Sequence, residues 1–279
     1  MPPIARVLLC GLLLASSDWG TLIVQAPTKD GIVICADMRR TAVGTKKSAL
    51  SSRDAPKLVK VNNDCVFYVS GTQIWSWGEG KITKGHIDFA RLTEQWLRVH
   101  SYKNLGKDVP RIEDYYKLQF TKFLRSTPKN SRPQVTFDSG GQPVFAVIGI
   151  VFRVGQQLTA KEFSVLYRSS DPINIDVVEE DHTRDVRTLG EANVFVELLS
   201  GRRPDFDGFR GEPVMRQVLP EMAAGKYETL PADIVWAFAK RTIVLTSEHP
   251  LPGMTPNSVS SNSQCLVLTP NQGITRSEL

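Results

Sequence analysis

The order in which extended and helical stretches follow one another constrains this chain most. Four β-rich runs come first: residues 21–26 (TLIVQA), 31–37 (GIVICAD), 57–61 (KLVKV) and 65–71 (CVFYVSG). Pro27, Asp30 and Gly31 between the first two are turn formers and predict a hairpin. The stretch 62–64 (NND) turns the chain between the other two, so residues 21–71 read as four antiparallel strands. The period then changes. Phe89, Leu92, Trp96 and Val99 recur every three to four residues within 86–103, and Ile112, Tyr115 or Tyr116, Gln119 on the flank, and Phe123 do so within 111–126. Both stretches predict helices with one apolar face. Strands are expected again at 142–154 and 161–168, a helix at 190–201, a loop at 202–213, a helix at 230–249 opening on Pro231, and a last strand at 264–269. The stretch 169–187 reads as acidic and irregular. Strands and helices in separate blocks argue for an α+β layered domain rather than βαβ winding. No repeat or linker divides the chain, so residues 21–279 are expected to form one domain.

A chain of 279 residues, 41% hydrophobic and 23% charged, can bury a large core. Its net charge of +5 is scattered in short pairs, which argues against nucleic acid as a partner. The histidines lie far apart, and no cysteine pair has metal-ligand spacing, so no metal or other cofactor is expected. Cys35, Cys65 and Cys265 fall in apolar runs and read as buried thiols rather than a disulfide framework. Residues 1–20 are expected to be an export signal followed by a short pro-segment. Residues 7–15 have the length of a signal core, and Ala15, Ser16 and Ser17 supply small residues for cleavage. The competing reading is a propeptide on a cytoplasmic protein. No later segment reaches about 18 uncharged apolar residues, so no membrane span is expected.

Gly20-Thr21 sits where the leader ends and the first strand begins. A threonine hydroxyl is a weak nucleophile without a nearby base. If the chain is cut directly before Thr21, the residue's own α-amine becomes that base, and it titrates near ~8. A small residue before the cut lets the hydroxyl fold back on the preceding carbonyl. The rest of such a site is a lysine that stabilises the ionised forms, a carboxylate that holds the lysine, and a backbone N–H for the oxyanion. Asp37 at the end of the second strand, Lys57 at the start of the third and Gly71 at the end of the fourth are the candidates.

This set resembles the proteasome-type N-terminal-nucleophile hydrolases, the threonine peptidases of proteasome β-subunits and their bacterial relatives. The resemblance rests on Gly20-Thr21, on 30–41 (DGIVICADMRRT), on 55–61 (APKLVKV) and on 66–72 (VFYVSGT). Thr21 and Asp37 keep the family's interval, and so do Lys57 and Gly71. Fainter likeness extends to 189–201 and to the stretch before 264–269. There Ser260 matches the family's supporting serine, and Asn257 stands where the family has aspartate. The resemblance implies a four-layer αββα sandwich of two antiparallel sheets flanked by helices. It implies Thr21, Asp37, Lys57, Gly71 and Ser260 as site residues, and a peptide or protein substrate. Family members often assemble through outer helices, so a homo-oligomer is possible. Two other readings stay open: a non-catalytic binding or ring-building subunit, and an amidase for non-peptide substrates.

Overall fold

The computed structural model describes residues 21–42, 51–54, 56–71, 74–79, 82–105, 111–137, 141–190, 192–249 and 259–279. The expected leader and Asn257 lie outside them.

The first hairpin forms as the turn chemistry requires. Strands β1 (Leu22–Pro27) and β2 (Ile32–Asp37) pair antiparallel, and the Thr28 N–H donates to the Gly31 carbonyl at 2.7 Å across the turn. Every residue of both strands is buried, because each face meets a different core. Leu22, Val24, Val33 and Cys35 pack in one apolar cluster, while Ile23, Ile32, Ile34 and Ala36 pack in another. That is why these runs do not alternate with exposed polar residues, and why Gln25 and Asp37, their two polar side chains, are buried as well.

Residues 21–71 hold more than the four expected strands. A separate hairpin, β3 (Arg39–Ala42) with β4 (Ser51–Asp54), precedes β5 (Leu58–Asn62) and β6 (Cys65–Gly71). A further hairpin, β7 (Ile74–Glu79) with β8 (Ile82–Asp88), takes the start of the first expected helix. That helix, α1, runs only over Phe89–Val99, with the Asp88 carboxylate capping Ala90 and Arg91 N–H. Its buried face is Phe89, Thr93, Trp96 and Leu97, and Val99 is 78% exposed, so the stripe is rotated from the expected one. Helix α2 (Ile112–Ser126) matches its expected range.

Strands β9 (Val144–Val154) and β10 (Gln157–Ser170) follow. The stretch expected to be irregular is a regular strand, β11 (Ile173–Asp181), paired along its length with β10, and then β12 (Arg187–Gly190). Its acidic side chains sit on a sheet edge, which favours charge over apolar residues and hides the strand from a hydrophobicity reading. Helices α3 (Asn193–Ser200), α4 (Asp207–Arg210), α5 (Pro213–Ala223) and α6 (Ala232–Glu248) come next, so the expected 202–213 loop contains a helical turn. Strands β13 (Ser263–Thr269) and β14 (Gly273–Glu278) close the chain.

Two five-stranded antiparallel sheets result, in the orders β12-β1-β2-β13-β14 and β11-β10-β9-β6-β5. The protein is therefore α+β. One core lies between β1, β2, β13 and helices α3, α5 and α6. A second joins β6, β9 and β10 to α1 and α2 through Phe89, Tyr116, Phe120 and Phe145. A third draws Ile34 and Leu266 from the first sheet and Val66, Tyr68 and Val151 from the second. Each such side chain fully buried contributes about 1.5–3 kcal/mol.

Cys35 and Cys265 face one another in the β2–β13 register and form a disulfide, which corrects the expectation of free thiols. The two residues are far apart in sequence, and only the pairing of the second strand with the next-to-last brings them together. Cys65 is a buried free thiol.

Candidate active site

The site forms where strand ends of both sheets meet. Thr21 directly precedes β1 and is 7% exposed. Its carbonyl lies against Gly190 at the end of β12, where an added Cβ would stand 1.7 Å from the Thr21 oxygen. Gly190 also has φ +81°, so glycine is required there twice over.

Asp37 is the last residue of β2 and fully buried. Its Oδ1 accepts from the Leu22 N–H at 2.6 Å and from the Lys57 ammonium at 2.6 Å. Its Oδ2 accepts from the Arg39 N–H at 2.8 Å and the Ser260 N–H at 3.2 Å. Burial pushes the Asp37 carboxyl above the ordinary carboxylate range, against the pull of the Lys57 ammonium and the Leu22 and Arg39 N–H groups. Backbone donors have no lone pair for a carboxyl proton, so these hydrogen bonds are ones that a carboxylate accepts. Lys57 is itself 4% exposed, and the two charges form a buried, hydrogen-bonded pair.

Thr21, Asp37, Lys57 and Ser260 are thus brought together. Ser260 contributes its N–H to Asp37, and its hydroxyl accepts from the Asn262 N–H at 3.1 Å. Gly71 stands apart from these hydrogen bonds, at the end of β6. It has φ +79°, and an added Cβ would meet the Phe145 carbonyl at 3.0 Å. The close approach of β9 thus requires glycine there. A depression lined by Thr28, Lys29, Leu158, Thr183 and Glu228 lies at the opposite end of β1 and contains none of the site residues.

Sequence reasoning missed Gln264. Its side-chain carbonyl accepts from two successive backbone N–H groups, Lys57 at 2.7 Å and Leu58 at 3.2 Å. It is 2% exposed and ties β13 of one sheet to the start of β5 in the other. The one trace of this in the sequence is a glutamine opening an otherwise apolar run, QCLVLT. A second buried ion pair was also missed: Glu162 of β10 with Arg187 of β12, at 2.6 Å.

Chemically, the cluster sets an ammonium on the same carboxylate oxygen as the N–H of the Thr21–Leu22 peptide. No protein-family model matches this sequence, and no curated protein matches it either.

Proposed function

We propose that the chain is an N-terminal threonine amide hydrolase, a peptidase matured by cleavage between Gly20 and Thr21. The observation that carries this reading is the Asp37 carboxylate, whose Oδ1 receives both the Leu22 N–H and the Lys57 ammonium at 2.6 Å. In this reading the Thr21 hydroxyl first attacks the Gly20 carbonyl. The Gly20–Thr21 C–N bond breaks to leave an ester and the free α-amine, and water hydrolyses that ester to release the upstream segment. The mature hydroxyl attacks the substrate carbonyl, the α-amine takes its proton and returns it to the leaving amine, and water hydrolyses the ester. Lys57 stabilises the ionised forms and Asp37 holds Lys57. Gly71 N–H is assigned to the oxyanion. The three apolar cores support the four-layer arrangement that accompanies this chemistry. The disulfide supports an exported protein, because such bonds persist in oxidising compartments.

The first residue of the mature chain tests the proposal. Mass spectrometry of the wild-type protein is expected to find a terminus at Thr21, and Thr21→Ala is expected to keep residues ahead of position 21. Maturation of both at the same bond would assign the cut to another protease and remove the basis for an enzyme. The protein would then be read as a non-catalytic subunit.

A further inference from the structure

We propose a second site, unrelated to Thr21: Glu162, Glu180 and His182 form a binding site for a divalent transition cation of the zinc class. Glu162 and Glu180 are directly opposite in the β10–β11 register, so their side chains share a face. His182 lies two residues beyond Glu180, and its N–H still donates to the Ala160 carbonyl at 2.8 Å, which continues the ladder. Its imidazole therefore projects to the same face.

The His182 Nε2 is 3.0 Å from Glu180 Oε2 and 3.9 Å from Glu162 Oε1, and the three ligand atoms lie within 4.8 Å of one another. A tetrahedral zinc ion with bonds of about 2.0–2.1 Å needs ligands roughly 3.3 Å apart. Small side-chain rotations reach that spacing.

Groups behind the ligands fit the same assignment. Asp185 Oδ2 is 3.3 Å from the His182 Nδ1. A proton on Nδ1 shared with that carboxylate leaves the Nε2 lone pair facing Glu180 and Glu162, the carboxylate–histidine–metal arrangement of zinc sites. Arg187 holds Glu162, a carboxylate only 3% exposed, with Nη2 on Oε1 at 2.6 Å and Nε on Oε2 at 3.3 Å, so an ion at Oε1 would use that oxygen's second lone pair. Two carboxylates that converge on one ring nitrogen repel each other. Glu162, Glu180 and Asp185 also outnumber the one guanidinium. A divalent cation removes the repulsion and the surplus charge together. It would fasten the end of the β10–β11 ladder to the 182–186 turn that leads into β12.

The test uses the full-length protein freed of metal by a chelator and titrated at pH 7.5 with zinc by calorimetry and with cobalt by visible absorption. One equivalent is expected to bind, with cobalt d–d bands of a nitrogen- and oxygen-ligated ion, and zinc is expected to raise the melting temperature. Glu180→Gln, at a half-exposed position that the fold does not need charged, and His182→Ala are each expected to abolish the bands and the thermal shift. Asp185→Asn is expected to weaken binding by about 10–100-fold. No saturable binding to the wild type, or equal binding by wild type, Glu180→Gln and His182→Ala, overturns the proposal. Far-UV circular dichroism of the two variants separates lost binding from lost folding.

Discussion

Lys57 and Asp37 are both buried, and each neutralises the other's charge. Removing one partner of such a pair leaves a buried charge uncompensated. Lys57→Met is expected to lower stability by about 3–5 kcal/mol, measured by urea denaturation. Asp37→Asn, of nearly the same shape, is expected to destabilise as well. The double variant is expected to lose less than the two single losses added together, by more than about 0.5 kcal/mol. Strict additivity would mean that the ion pair contributes nothing of its own. At this scale the meeting of Asp37 with Lys57 and with the peptide that follows Thr21 was legible from sequence, because each sits at a strand end. Gln264 was not legible, because it acts on the backbone of another sheet. His182 was not legible either, because its neighbour Glu162 comes from a strand twenty positions earlier.

The pairing of β1 with β12 places Gly190 against the carbonyl of Thr21. Any side chain at 190 must displace that carbonyl and adopt a left-handed backbone. Gly190→Ala is expected to cost about 2 kcal/mol or more. Gly155 is the control: it has φ +62° with nothing near an added Cβ, so Gly155→Ala carries the backbone strain alone, about 1 kcal/mol. Urea midpoints of the two variants give the steric part by difference, and equal losses would refute the close approach. Long elements with one strong period, such as α2, were legible at this scale. The β7–β8 hairpin and β11 were not. Their sequences carry glycine or charge where a sheet edge tolerates them, and the periodic signal vanishes.

Strands such as β1, β2, β5, β6, β9 and β13 could be read one by one, but not their division between two sheets. Consecutive strands β5 and β6 leave the sheet of β1 and β2, and the last two strands join it instead. Only that crossover brings Cys35 to Cys265, across a sequence separation of 230. Replacing both cysteines by alanine is expected to lower stability by about 2–5 kcal/mol, read as a shift of the urea midpoint without reductant. Unchanged stability would mean that the bridge does not form in the folded protein.

The same crossover fixes a timetable for synthesis. Residues 21–37 emerge early, yet β2 gains its second neighbour, and Asp37 its Ser260 donor, only when the final strands leave the ribosome. A nascent chain therefore carries its threonine past the translation machinery with the surrounding cluster unassembled. Under the proposed chemistry, the cut before Thr21 waits until residues 260–269 have been made.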